Sequence, residues 1–213
     1  MDRKFKVAVL VSGGGTNLQA ILDAQKSGVI NSAEVSLVIS NRADAYALRR
    51  AHDRGVEAMV ITKKKGAVSE YDVPVIEVSK ENFEAEIIKA IDEREIDLIV
   101  LAGFMCILSE NFTKHYEDKI INVHPSLIPS FCGEGFYGRH VHEAAVAKGV
   151  KVTGATVHFV NEIPDGGRII AQKAVAVEEG DTPEILQRRV MEEAEWIILP
   201  EAIERISNER LHK

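Results

Sequence analysis

Apolar and polar positions along the chain switch between a period of two and a period near 3.6, and the order of those switches lays out a series of elements. FKVAVLV, beginning at Phe5, is an apolar run that breaks into SGGG, and NLQAILDAQKSG then carries Leu18, Ile21 and Leu22 at helical spacing with Gly28 as a stop. EVSLVIS predicts a second strand, DAYALRRAHDRG a helix up to Gly55, and VEAMVIT a third strand, before Pro74 interrupts a loop. ENFEAEIIKAIDEREI predicts a charged amphipathic helix with Phe83, Ile87, Ile88 and Ile91 turned inward. DLIVLAG is apolar enough to be buried on both faces. Strands and helices alternating in this way predict an α/β fold: an open, mostly parallel twisted sheet with helices on both faces.

The pattern changes after IINVHPS. A long loop, SFCGEGFYGRH, precedes the helix HVHEAAVAKG, and VTGATVHFV and RIIAQKAVAV then alternate as half-exposed strands do. These two predict a hairpin-like extension joined by NEIPDGG, followed by one long terminal helix from about Pro183 to Arg210, with Pro200 as the expected bend. No repeat, low-complexity tract or linker divides the chain, so 1–213 is expected to form a single domain.

Composition narrows the field. The chain is 46% hydrophobic and 28% charged, with a formal net charge of −7 and no apolar run near the roughly 18 residues of a membrane span. Its charges are interleaved, so neither a nucleic acid nor a membrane is an expected partner. Lys63, Lys64 and Lys65 are the one basic cluster and are read as a solvated loop. The apolar start passes into glycines without a cleavage site, so it reads as a strand and the location as cytoplasmic. Cys106 and Cys132 make neither a disulfide framework nor a metal-ligand spacing.

Candidate chemistry gathers at three strand ends. Asn122 and His124, two apart on a strand, point the same way, and Pro125 ends the pairing and leaves them at its carboxyl end, where parallel sheets bind ligands. The pair either satisfies loop backbone or forms a site. SGGGTN, Ser12 to Asn17, is either a tight turn or a phosphate turn, since glycines let backbone approach a ligand and a helix start attracts an anion. It meets neither the dinucleotide nor the Walker pattern. AGFMCIL is apolar where a loop is usually polar, and is either a pocket wall or a loop tucked under the insertion. Asp165, in IPDGGR, is either ordinary turn chemistry or a partner for His124 that raises the imidazole's pKa, with Asn122 as a neutral donor to the same oxygen. No nucleophile elbow or metal box accompanies this trio, which suits direct attack by an amine on an activated carbonyl.

SGGGTNLQAI, VLAGFMCIL, INVHPSLIP, GATVHFV and PDGG stand in an order and spacing that resembles the folate-dependent formyltransferases, and SGGGTNLQ resembles the phosphoribosylglycinamide formyltransferases in particular. The resemblance runs from about Lys6 to Pro200. It implies the Rossmann-like formyltransferase fold and transfer of the formyl group of 10-formyltetrahydrofolate to the amine of 5-phosphoribosylglycinamide in purine biosynthesis, with no metal. Asn122, His124 and Asp165 are then the catalytic trio, with Asn122 and a charged His124 holding the oxyanion and Asp165 assisting proton transfer. Gly15, Thr16 and Asn17 are implied to hold the ribose phosphate, and Met105, Cys106, Ile107 and Leu108, with Asn122, to line the folate pocket. Family members often carry Arg at the position of Cys106, have a shorter loop than SFCGEGFYGRH, and use a folate-contacting arginine whose place falls near Lys63 to Lys65. RVMEEAEWIILP is one residue longer than the family's helix, leaving Glu192 and Glu195 for its remaining phosphate contacts, with Glu195 the better match.

Three other readings share these motifs. A formyltransferase for methionyl-tRNA or a nucleotide-linked amino sugar has the same core, but the tRNA enzyme is expected to carry a further carboxyl-terminal domain. A formyltetrahydrofolate hydrolase is expected to carry an amino-terminal one. A catalytically silent nucleotide- or folate-binding domain is disfavoured by the complete trio.

Overall fold

The computed structural model describes residues 3–212. Strands β1 (Phe5–Val11), β2 (Ala33–Ser40), β3 (Ala58–Thr62), β4 (Val75–Glu77), β5 (Leu98–Leu101), β6 (Ile120–His124), β7 (Val152–Phe159) and β8 (Ile169–Ala176) form one sheet in the order β4-β3-β2-β1-β5-β6-β7-β8. β4 to β6 in that order are mutually parallel, whereas β7 pairs antiparallel with both β6 and β8. The hairpin expected from the alternating segments is therefore a continuation of the same sheet.

Alternation along β1 shows why the sheet is buried on both sides. Val7, Val9 and Val11 enter one apolar cluster, and Ala8 and Leu10 enter the other. Helices α1 (Thr16–Ser27), α2 (Tyr46–Asp53), α6 (Pro183–Val190) and α7 (Trp196–Leu211) contribute to the first cluster, and α3 (Phe83–Asp92) and α4 (Glu110–His115) to the second. α5 (Arg139–Lys148) joins the first through Ala145. Each fully buried aliphatic side chain here contributes about 1.5–3 kcal/mol of transfer free energy.

Four details depart from the sequence reading. β4 pairs even though Pro74 precedes it, because the Pro74 carbonyl accepts from Val60 N–H at 2.8 Å, and a proline lacks only the donor. α4 is a short helix capped by Ser109, whose hydroxyl accepts from Phe112 N–H at 3.2 Å. Ala90 takes the buried place on α3 expected for Ile88, which is half-buried. The terminal helix breaks not at Pro200 but at Met191–Glu195, which forms a π-helical turn. Leu186, Val190, Ala194, Ile198, Ala202 and Ile206 are all buried and recur every fourth residue. A stripe with that period drifts by roughly 40° per step on a helix of 3.6 residues per turn, and the wide turn absorbs part of the drift.

Candidate active site

β2 lies on one side of β1 and β5 on the other, so the loops leaving the carboxyl ends of β1 and β5 diverge and open a crevice. A cavity of about 620 Å³ lies there, lined by the Gly13–Asn17 turn, Met105, Asn122, His124, Phe136, Tyr137, His142, Asp165, Gln187 and Glu195. A recess of about 170 Å³ adjoins it, lined by Leu101, Phe104, Cys106, Ile107, Leu108, His158 and Val160. Phe104, Asn122 and Asp165 line both, so the two spaces meet at those side chains.

β6 ends at His124, and its pleat sends Asn122 and His124 to one face. Asp165 reaches them from the loop between β7 and β8, in the left-handed region at φ 55°, a conformation that Asp tolerates. The loop turns tightly because Gly167 passes against the Phe159 carbonyl, where an added Cβ would lie 1.7 Å from the oxygen. Asp165 Oδ2 accepts from Gly133 N–H at 2.9 Å and lies 3.4 Å from His124 Nδ1, while Oδ1 lies 3.5 Å from His158 Nε2. Burial works to raise the Asp165 pKa, but His158, the Gly133 N–H and His124 outweigh it and hold the carboxyl below its ordinary range.

His124 is buried, and its Nε2 lies 2.8 Å from the Phe131 carbonyl, which only accepts, so Nε2 carries a hydrogen. Both ring nitrogens thus face acceptors. Burial nonetheless pulls the His124 pKa below its ordinary value, against the raising effects of Asp165 and the Phe131 carbonyl. Asp165 thus acts in the expected direction, but the desolvation of a buried cation is the larger effect and sets the net direction.

His158, unremarked in the sequence reading, completes the cluster. It stands opposite Asn122 in the β6–β7 register, and its Nε2 lies 3.2 Å from Asn122 Nδ2. Its Nδ1 is 2.8 Å from the Phe159 carbonyl and donates to it, so Nε2 donates to Asp165 Oδ1, 3.5 Å away, when the ring is charged and accepts from Asn122 when it is neutral. One Asn122 N–H is then committed and the other is left for a ligand. Within GATVHFV nothing marks His158 as a site residue, because its place follows from the β6–β7 register that sets it opposite Asn122.

At the other end of the cavity, Gly15 takes φ 69° to open α1, and an added Cβ would come within 2.6 Å of Ala47 Cβ. Asn17 Nδ2 donates to Glu195 Oε2 at 2.7 Å across the gap between α1 and the π turn. Glu195 is buried at 6% exposure, and burial raises its pKa to about 7 against the lowering effect of Asn17. Glu192 lies outside this group, paired with Arg188 at 2.7 Å. The structure splits the proposed folate wall: Met105 lines the main cavity, and Cys106, Ile107 and Leu108 the recess. Cys106 Sγ accepts from Asn41 Nδ2 at 3.0 Å. Lys63 lies over the Phe83 ring, and Lys64 lines a separate hollow with Arg42. Among the described residues, no cluster of three or more His, Cys, Asp or Glu side chains is arranged to hold a metal.

The profile of the family described as formyl transferase matches residues 5–203. The chain belongs to the formyl transferase family. It is 38% identical over 207 residues to the phosphoribosylglycinamide formyltransferase of Escherichia coli (strain K12), covering 97% of this chain and 89% of that one. It is 42% identical over 205 residues to the trifunctional purine biosynthetic protein adenosine-3 of Gallus gallus, covering 96% of this chain and 19% of that protein. The chain thus spans about a fifth of the length of that larger relative. Among solved structures, glycinamide ribonucleotide transformylase 1 from Symbiobacterium toebii superposes with a TM-score of 0.82 at 40% identity, covering 97% of this chain and 89% of that one. No helix among the described residues is long and apolar enough to cross a membrane.

Proposed function

We propose that this formyl transferase moves the formyl group of 10-formyltetrahydrofolate onto the amine of 5-phosphoribosylglycinamide, with 1–213 acting as one catalytic domain in the cytoplasm. The observation that carries the reading is the meeting of the two spaces at Phe104, Asn122 and Asp165: a recess of mixed apolar and polar lining suited to a flat, hydrogen-bonding pterin on one side, and a glycine turn suited to a phosphate on the other. The names of the relatives support the choice of donor and acceptor.

In this reading Gly15, Thr16 and Asn17, with Glu195, hold the phosphate end, and Met105, Cys106, Ile107, Leu108 and Asn122 face the folate. The free N–H of Asn122 donates to the formyl oxygen as the attacking amine turns it into an oxyanion. The neutral His124 and ionised Asp165 form the proton-accepting pair. Nδ1 takes the amine's proton, and the resulting imidazolium is already partnered by Asp165 and the Phe131 carbonyl. The same proton then passes to the folate nitrogen as the carbon–nitrogen bond to it breaks, so charge and protons balance.

Absorbance-followed loss of 10-formyltetrahydrofolate, with and without the ribonucleotide, tests the reading. Turnover that requires the ribonucleotide and falls about 10²–10⁴-fold in Asp165→Asn is expected, the usual worth of a positioned acid–base group. Folate consumption without the ribonucleotide would make the protein a hydrolase.

A further inference from the structure

His142 lies on the first turns of α5 and is 1% exposed, yet neither of its ring nitrogens has a hydrogen-bond partner among the described residues. Buried polar groups are nearly always partnered, and an orphaned pair in a single ring asks for a ligand. The ring lines the main cavity together with Tyr137, Gly138, Gln187 and Met191. It lines the same cavity as His124, while α5 packs on α6, which carries Gln187. His142 is therefore set between the reacting end and the phosphate end. Burial, helped by His124, lowers its pKa to about 4, so the ring is neutral and offers one N–H and one lone pair.

We infer that His142 is a specificity-determining residue that hydrogen-bonds a free sugar hydroxyl of the phosphorylated substrate, an inference that rests on the function proposed above. A neutral imidazole offers an N–H at one nitrogen and a lone pair at the other, and a hydroxyl can pair with whichever of the two faces it. Phosphate oxygens and an amide carbonyl only accept, whereas a hydroxyl does both. The sugar is also the part of the substrate that lies between its phosphate and its amine, as His142 lies between the two ends of the cavity. A site built around such a bond rejects an analogue lacking the hydroxyl, because the buried ring is again left unpaired.

The test compares steady-state kinetics of the full chain and its His142→Ala and His142→Asn variants on the ribonucleotide and on its two analogues that each lack one free sugar hydroxyl. The expected result is a rise of about tenfold or more in KM for the ribonucleotide in His142→Ala, with KM for the formyl folate unchanged and partial recovery in His142→Asn. Wild-type discrimination against one analogue should vanish in His142→Ala. Variants that keep the wild-type discrimination, or that change only melting temperature, would overturn the assignment while leaving the proposed function intact. Wild-type protein that does not turn over the ribonucleotide at all would overturn the proposed function and this inference with it.

Discussion

Asn122 and His158 face each other across the β6–β7 pairing with Nδ2 and Nε2 3.2 Å apart, so the strand register itself aims the Asn122 carboxamide. The Phe159 carbonyl, 2.8 Å from His158 Nδ1, fixes which face of the imidazole offers the lone pair. In the proposed mechanism His158 is a positioning residue that acts through Asn122.

Replacing His158 by Phe should lower kcat about 10- to 100-fold with little change in KM, the scale of a misaimed oxyanion donor. A purely structural role predicts that the losses of His158→Phe and Asn122→Ala add. A role through Asn122 predicts that the double variant is no slower than Asn122→Ala alone, and kinetics on the three proteins decide between them.

Asp165 works to raise the His124 pKa while burial lowers it further than Asp165 can offset. Substituting Asp165 by Asn removes the raising effect, so the His124 titration followed by NMR should move to lower pH than in the wild type. A midpoint that stays put or rises would mean that Asp165 does not act on the ring.

Glu195 makes stability depend on pH. Its folded pKa of about 7 lies above the model-peptide value of 4.5, so the folded state holds the proton more tightly than the unfolded chain. The stabilisation is fully present below the unfolded value and is lost as pH rises through about 7. The shift is worth at most about 3 kcal/mol at 1.36 kcal/mol per pH unit. Glu195→Gln carries no titrating proton, so its stability relative to wild type should climb between about pH 4.5 and 7.5, as read by denaturant unfolding. Parallel curves for the two proteins would show that Glu195 ionises freely.

Gly15→Ala should cost more than Gly55→Ala, although both glycines have positive φ. Each substitution bears the left-handed penalty of about 1–2 kcal/mol. Gly15 alone adds a clash with Ala47, while a Cβ at Gly55 meets nothing within 4 Å. Unfolding free energies of the two variants measure the difference directly.

The parallel part of the fold was legible because buried strands and amphipathic helices write their periods openly, as DLIVLAG and Phe83 to Ile91 do. β4 was hidden by a proline whose carbonyl still pairs. At the site, Asn122 and His124 were legible from the pleat, because a period of two says which side chains share a face. His158 was not, since its place depends on which residue β7 sets opposite Asn122, and register is a property of two segments rather than one. The net direction of the His124 pKa was also beyond the sequence, which shows a carboxylate that could raise it but not the burial that lowers it.

The π turn at Met191–Glu195 has a consequence for how this chain tolerates changes of length. An ordinary helix passes any insertion down its whole axis, turning each later side chain by about 100°. A wide turn confines the extra residue, so α7 keeps its buried stripe of Ile198, Ala202 and Ile206 while the segment before it is free to differ by one position. The carboxylate facing Asn17 stands at the seam between those two phases. The spacing of the Asn17–Glu195 contact is thereby adjustable one residue at a time without disturbing the sheet beneath it.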